Sequence, residues 1–230
     1  MQSGDAPVLV ITGLLAEARI AAGPGVTVVS RGNRQELLRD LVRRSTERHF
    51  CAVVSFGVAG GLSPELAPGR VVVAQQIIRG SKRLTGDAAL RSRLSSRLSA
   101  DIPDVVSGNI AAVEEPRCTP GEKQALRSAT GAHVVDMESW EAALLAAELG
   151  VGFAALRVVC DPAHYRVPAA ALTGLGADGR TNMWKVARSL FRNPSDLPDL
   201  ALCAAGWVRA LRALRRARMV LGAGFGLSNL

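Results

Sequence analysis

The stretch Phe153–Val159, FAALRVV, is apolar at every position except Arg157. A strand of that composition cannot leave either face in water, so it needs cover above and below, as strands of parallel sheets have. The residues before it complete a strand–helix–strand unit. His133–Met137 is a short β-branched run. Ser139–Leu149 places Leu144, Leu145 and Leu149 on one side at helical spacing, and Gly150 terminates that helix. Glu138 stands where the first strand becomes the helix. Asp161 lies just past the second strand, with Pro162 fixing the turn. Ligands of open α/β sheets bind outside the carboxyl ends of the strands, so two carboxylates from neighbouring strand ends can face one pocket. The plainer reading is that Glu138 favours a helix N-terminus and Asp161 caps a loop, since strand-end carboxylates are common in α/β folds.

The remaining chain repeats the alternation. Strands are expected over Pro7–Thr12, Val26–Ser30, Ala52–Phe56, Arg70–Ile78 and Val105–Val113. Helices are expected over Leu14–Ala22, from about Gln35 to His49, over Ala88–Ser99 (polar, with little apolar surface), and from the capping box Thr119-Pro120-Gly121-Glu122. Such a pattern argues for a largely parallel sheet sandwiched by helices. Gly57-Val58-Ala59-Gly60-Gly61 opens out of the third strand, where bare backbone N–H groups can approach a polar ligand or simply make a tight turn. No composition break divides the 230 residues, so one domain over 1–230 is expected. Within it, 163–230 forms a distinct region. Val167–Arg180 is a small-residue, glycine-containing flap. Asn182 caps a helix through Phe191. Asp199–Leu221 is one long helix with Trp207, Leu211, Leu214 and Leu221 on one stripe and Arg209, Arg212 and Arg216 on another.

Charge and cysteine usage narrow the functional classes. Of the net charge of +8, +7 falls in 180–230, where nine basic residues meet two acidic ones. A local basic surface suits an anionic partner, a membrane surface or nucleic acid. With only five Phe, three Trp and one Tyr, an extended base-stacking surface is not expected, which argues against nucleic acid. Trp140 and Trp184 read as core or interface residues and Trp207 as an anchor for the last helix. The four cysteines, Cys51, Cys118, Cys160 and Cys203, have no C-x-x-C spacing, and His49, His133 and His164 form no ligand pattern. Neither a disulfide framework nor a metal site is therefore expected, and a reducing cytosol fits. The first residues lack a basic n-region and a long apolar core, so no signal peptide is expected, and no apolar run reads as long enough to span a membrane.

Three segments together, FGVAGGLSPELAPGRVVV (Phe56–Val73), VVDMES (Val134–Ser139) and ALRVVCDPA (Ala155–Ala163), resemble in order and spacing the purine nucleoside phosphorylase/nucleosidase superfamily, which includes the methylthioadenosine/adenosylhomocysteine nucleosidases. The similarity extends over about Val8 to Asp161. Within the superfamily the DMES and RVVCDPA wording, the short N-terminal half and the arginine-rich tail look like the hopanoid-associated phosphorylase branch, whose members are similar to enzymes that release adenine from adenosylhopane. The resemblance implies a three-layer α/β/α sandwich around a central twisted mixed sheet, phosphorylase/hydrolase-like. It implies that Asp161 protonates a purine at N7, that Glu138 holds the ribose hydroxyls and that Met137 packs on the sugar. Arg157 and Cys160 match residues flanking the acid, usually arginine and serine, and Gly57 and Gly60 match the turn beside the ribosyl group.

The chemistry needs these residue types on its own account. Breaking a C1′–N9 bond leaves an oxocarbenium-like sugar and an anionic purine. Protonating the base makes it a tolerable leaving group, an acid role usually worth about 10²–10⁴-fold. Burial among Val158, Val159 and Pro162 would help Asp161 keep its proton, whereas an inward-turned Arg157 would oppose it. A Glu138 carboxylate can accept from both hydroxyls and place negative charge beside the cationic sugar.

Two departures leave the nucleophile open between water and phosphate. Hydrolytic members carry a water-activating glutamate near the end of the first strand. Counted without gaps from Gly13, Ala18 takes that position and Glu17 falls one residue early, so either Glu17 serves after a small loop adjustment or the role is lost. Phosphorolytic members bind phosphate with arginines and a serine, where this chain has Ser55 and Val58; Arg31 and Arg34, in a polar turn, are either anion-binding candidates or plain solvated turn arginines. The expected function is cleavage of a 5′-modified adenosine, adenosylhopane first and a methylthioadenosine/adenosylhomocysteine nucleosidase as the rival. No cofactor is expected beyond inorganic phosphate as a co-substrate. Expected partners are a small-molecule or lipid-linked adenine nucleoside, an anionic membrane surface and a second copy in a homodimer, with a cytoplasmic location at the inner membrane face. The competing non-enzymatic reading is an inactive relative that binds membrane or nucleic acid through its tail.

Overall fold

A computed structural model describes residues 6–30, 49–168 and 197–227. The elements in chain order are β1 (Val8–Thr12), α1 (Leu15–Ala21), β2 (Val26–Ser30), β3 (Ala52–Gly61), β4 (Val71–Arg79), β5 (Lys82–Thr85), α2 (Ala88–Asp101), β6 (Val106–Ala112), α3 (Pro120–Thr130), β7 (Val134–Asp136), α4 (Ser139–Leu149), β8 (Gly152–Asp161) and α5 (Leu197–Leu221), followed by a short 3₁₀ turn, Ala223–Gly226. The expected helix from about Gln35, the Asn182 helix with Trp184, and all of the flap beyond Pro168 lie outside the described residues.

The sheet is mixed. β1 runs parallel to both β2 and β3, β3 to β8, β4 to β6 and β6 to β7; the β3–β7, β4–β5 and β4–β8 pairs are antiparallel. These pairings join β3, β8, β4, β6 and β7 in a closed ring, from which β1 and β2 extend beyond β3. β8 is central, and alternate side chains supply two cores. Phe153, Ala155 and Val159 join Leu9, Val53 and the α4 residues Trp140, Ala142, Leu145 and Ala146. Ala154, Leu156 and Val158 join Val8, Val10, Val54, Phe56 and the inner faces of α2 and α5. Both faces of FAALRVV are therefore covered, as its composition calls for, in the α/β fold with a mixed sheet that the resemblance implies.

Some expectations need correction. β3 continues as strand through Gly61 instead of stopping at Phe56, because Gly60 and Gly61 pair with Val135 and Val134 of β7. The α2 helix is less polar in effect than its composition: Leu90, Leu94 and Leu98 recur every fourth residue and are all buried. β5, a short antiparallel edge, has no hydrophobic signature to announce it. On α4, Leu144 points outward while Trp140, Ala142, Ala143, Leu145 and Ala146 are buried.

The long helix α5 packs on the sheet through Gly206, Ala210, Leu214, Ala217 and Leu221, with Trp207 and Leu211 at the margin of that face. A Cβ on Gly206 would lie 2.2 Å from the Cys160 carbonyl oxygen, so only glycine lets the helix rest on the end of β8. Arg209, Arg212, Arg215 and Arg216 are exposed. Arg218 does not belong to that basic surface. It is buried, its Nε donates to the Ala21 carbonyl at 2.8 Å, and its guanidinium stacks over Phe225 at 4.9 Å. Among the described residues no helix is long and apolar enough to cross a membrane.

Leu94 is wholly buried where α2 meets the sheet. Leu94→Ala leaves a void that the surrounding backbone cannot close, and should lower unfolding free energy by about 2–5 kcal/mol in urea titrations followed by circular dichroism.

Candidate active site

Four chain segments converge at the carboxyl ends of β1, β3, β7 and β8 around a cavity of about 220 Å³. Its walls include Glu17, Val58, Gly60, Met137, Glu138, Cys160 and Asp161. Seven of the residues singled out in the sequence are thus brought together. Arg157 and Gly57 lie behind the wall, and Arg31 and Arg34 lie outside the described residues.

Glu17 reaches the site without any loop rearrangement. The turn after β1 starts α1 so that Glu17 points back across the β1–β3 ends. There Oε2 accepts from the Gly13 and Leu14 N–H groups, both at 2.9 Å, and Oε1 from the Val58 N–H at 2.8 Å. Gly57 makes room: a Cβ there would stand 2.6 Å from Oε1. Two lone pairs of Oε2 and one of Oε1 are used, which leaves one on Oε1 able to take a proton. Burial is the main cause that pushes the Glu17 pKa from 4.5 to about 7; the Glu138 charge adds to it, and Arg157 and the N–H groups of Val58 and Leu14 hold it back.

Glu138, at the N-terminus of α4, comes close to β1 because Gly13 has no side chain; a Cβ there would be 2.8 Å from its Oε1. Its Oε2 lies 3.8 Å from Arg157 Nη2. That guanidinium is only 1 % exposed and belongs to a buried network. Nε donates to Asp136 Oδ2 at 2.6 Å, and Nη2 to Ser55 Oγ at 2.6 Å and Ser139 Oγ at 3.2 Å; the Ser139 hydroxyl also donates to Asp136. Burial works against the Arg157 charge, but Asp136, Glu138 and Glu17 outweigh it, and its pKa is raised. Arg157 therefore does not face Asp161, contrary to the concern raised from the sequence. Ser55 serves Arg157 and is fully buried, so it presents nothing to a phosphate in the cavity.

Asp161 owes its position to a β-bulge. Ala59 pairs with Val159 but Gly60 pairs with Asp161, which leaves Cys160 as the extra residue. The Cys160 thiol donates to Asp161 Oδ1 at 2.9 Å, and burial, followed by the Asp161 charge, pushes its pKa well above the ordinary value. The cation beside Asp161 is one that the sequence analysis passed over: Lys123 Nζ donates to Oδ2 at 2.5 Å from the first turn of α3, with no exposed side-chain surface. Lys123, Leu126 and Thr130 share an i, i+3, i+7 stripe, and that spacing was the available signal that the lysine faces inward. Among the described residues no group of three or more His, Cys, Asp or Glu could hold a metal ion.

A mixed-sheet α/β/α protein with carboxylates from separate strand ends on one cavity is the class that this fold and site define. The chain belongs to the Phosphorylase superfamily, whose family model matches residues 42–172. A search of curated proteins finds no sequence match. Among solved structures the chain is similar to a mutant of the Helicobacter pylori 5′-methylthioadenosine/S-adenosylhomocysteine nucleosidase with 5′-methylthioadenosine in its active site (TM-score 0.63, 14% identity, 92% of this chain and 97% of that one). It is similar also to the native futalosine hydrolase of H. pylori (TM-score 0.62, 14% identity, 94% and 97%) and to the Campylobacter jejuni methylthioadenosine/adenosylhomocysteine nucleosidase (TM-score 0.61, 14% identity, 92% and 99%). At these identities the likeness establishes the fold.

Glu17 also sets a pH signature. Its carboxyl binds a proton more tightly folded (about 7) than in its ordinary state at 4.5, so its contribution to stability is complete below pH 4.5 and is lost as pH rises through about 7. Between pH 5 and pH 8 the wild type should lose up to ~3 kcal/mol relative to Glu17→Gln, whose side chain does not titrate. Urea denaturation of both proteins at the two pH values measures this; a constant difference would place Glu17 elsewhere.

Proposed function

We propose that this protein cleaves the N-glycosidic bond of a 5′-modified adenosine and releases adenine. The convergence of Glu17, Glu138 and Asp161 on one cavity carries this reading. With the ribose against Met137, Glu138 accepts from its hydroxyls and opposes the charge that develops on the sugar. Asp161 gives a proton to N7 as the C1′–N9 bond breaks, so that adenine leaves neutral. A water adds its oxygen to C1′ and its proton passes to the open lone pair of Glu17 Oε1. Each carboxylate then has one task, and no group beyond the chain and water is needed for the balance.

Water is favoured over phosphate by two details. The Val58 N–H at the glycine-rich strand end is already bonded to Glu17, and Ser55 is held by Arg157. The finer substrate is adenosylhopane, supported by the wording of VVDMES and RVVCDPA, with methylthioadenosine and adenosylhomocysteine as its competitors. The partner proposed for the exposed arginines of α5 is an anionic membrane surface, supported by Val208 and Met219, which are exposed on the same face as Arg212 and Arg216. Homodimer formation belongs to the same proposal. The intact set of carboxylates speaks against an inactive relative.

Asp161→Asn should lower kcat for adenine release by about 10²-fold or more with little change in nucleoside binding, because the proton is needed mainly in the transition state. Liquid chromatography of adenine from adenosylhopane and from methylthioadenosine, each with and without phosphate, tests substrate and nucleophile together. Full-rate release in phosphate-free buffer is expected; a requirement for phosphate with ribose 1-phosphate-type product would make the enzyme a phosphorylase.

For the tail, co-sedimentation with anionic vesicles should be strong at low salt and weaken at high salt, since each arginine near such a surface contributes about 1 kcal/mol that salt screens. Replacement of Arg209, Arg212 and Arg216 by Glu should abolish it, and binding that survives this change would remove the electrostatic reading.

A further inference from the structure

We infer that Lys123 is a positioning residue for the general acid: it fixes the direction of the Asp161 carboxylate and stabilises the charge left there when the proton departs. The inference rests on the reading of Asp161 under Proposed function.

Lys123 stands where a lysine is poorly placed on general grounds. It lies in the first turn of α3, at the positive end of the helix dipole, and has no exposed surface. An ammonium loses its hydration there and regains it only through its partners. All three of its N–H bonds have one: Asp161 Oδ2 at 2.5 Å, the Pro162 carbonyl at 3.0 Å and the Tyr165 carbonyl at 3.2 Å. None is left for a substrate, so Lys123 acts through Asp161 and through the backbone that follows it.

Stability is a weak explanation for such a pair. Buried ion pairs can often be replaced by apolar side chains of similar volume with no loss of stability. An apolar side chain cannot aim a carboxylate. With Oδ2 held by the ammonium and Oδ1 by the Cys160 thiol, the Asp161 group has one orientation, and the bare backbone of Gly60 lies beside it, 3.3 Å from Oδ2 to the position a Cβ would take. The thiol is the weaker director, and it also lies 3.4 Å from the Ala59 carbonyl, a second acceptor for its single hydrogen. Among the described residues, without Lys123 only that weak bond would orient the acid. The bonds to the Pro162 and Tyr165 carbonyls tie down the segment that leads to Val167, which lines the cavity and whose N–H donates to the Cys118 carbonyl at 2.8 Å. When the proton passes from Asp161 to the purine, negative charge grows on the carboxylate beside the ammonium. The ammonium opposes protonation of the free carboxyl, as any inward cation would, but the same attraction grows as the proton leaves and is stronger in the transition state than before it, which is the requirement for acceleration.

A leaving group that needs no proton separates this role from a merely structural one. Lys123→Met, Lys123→Arg, Asp161→Asn and the Asp161→Asn/Lys123→Met double variant are compared with wild type on an adenine nucleoside and on 4-nitrophenyl β-D-ribofuranoside, whose phenolate departs unprotonated. Lys123→Met should lower kcat on the adenine nucleoside by about 10²-fold, the scale of removing one preorganised charge, and change the nitrophenyl riboside rate less than threefold. Lys123→Arg should recover most of the lost rate, and in the Asp161→Asn background Lys123→Met should have no further effect, as expected for two residues acting as one unit. Equal losses on both substrates, or additive losses in the double variant, would overturn the inference while the function stands. A wild type inert towards both substrates would overturn the function and the inference with it.

Discussion

The buried contact between Arg157 and Asp136 is the interaction on which the site depends. Three acidic side chains, Glu17, Asp136 and Glu138, crowd the ends of β1, β3 and β7, and one guanidinium on β8 answers all of them: by direct contact with Asp136 at 2.6 Å, by proximity to Glu138 at 3.8 Å, and through its field at Glu17. The two serine hydroxyls that complete the network come from β3 and α4, so the cation also joins four elements of the fold. Removing one member of such a pair leaves an uncompensated charge where water cannot reach it, which is far more damaging than never having had the pair. Both Glu138, 3.8 Å away, and Glu17, whose ionised form it favours, feel from behind the cavity wall a residue that does not line it.

The Asp161 end of the cavity is built on a different principle. There the backbone supplies the geometry. The extra residue at Cys160 turns Asp161 out of the regular alternation of β8, Gly60 leaves room on the neighbouring strand, and Gly206 allows α5 to press on the Cys160 carbonyl from the other side. Electrostatic cross-linking at one end and a bulge braced by a helix at the other hold the carboxylates apart. The exposed basic face of α5 and the site share this joint, since the opposite face of the same helix rests on the bulge.

Much of this was legible in the sequence where periodicity or a turn residue carries the signal. FAALRVV demanded a two-sided cover and has it, and the Thr119–Glu122 capping box and the Gly150 terminator are where the residues place them. What escaped depends on distance along the chain. The extension of β3 through Gly61 needs β7, some seventy residues later, to pair with it. The direction of Arg157 depends on Asp136 and Ser55, which no spacing rule connects to it. Counting residues from Gly13 put Glu17 one place early, but a helix start turns side chains by about 100° per residue, and position in space is not position in the count. Lys123 was hidden for another reason: a charged residue after a capping box reads as solvated, and only the company of Leu126 and Thr130 on its face says otherwise.

The buried Glu17 carboxylate gives the molecule opposed requirements. Its three backbone N–H donors and the field of Arg157 favour ionisation, whereas burial and Glu138 resist it, and the balance falls at about 7. Under the proposed mechanism the form able to accept a proton from water is the ionised one, which is also the form in which the folded chain is less stable. Acidification would then put the protein into a sturdier, idle state without unfolding it, and neutralisation would return it to work. Selection for thermal robustness alone would erode this residue, because variants that shed the charge gain stability while giving up the base that the proposed mechanism requires.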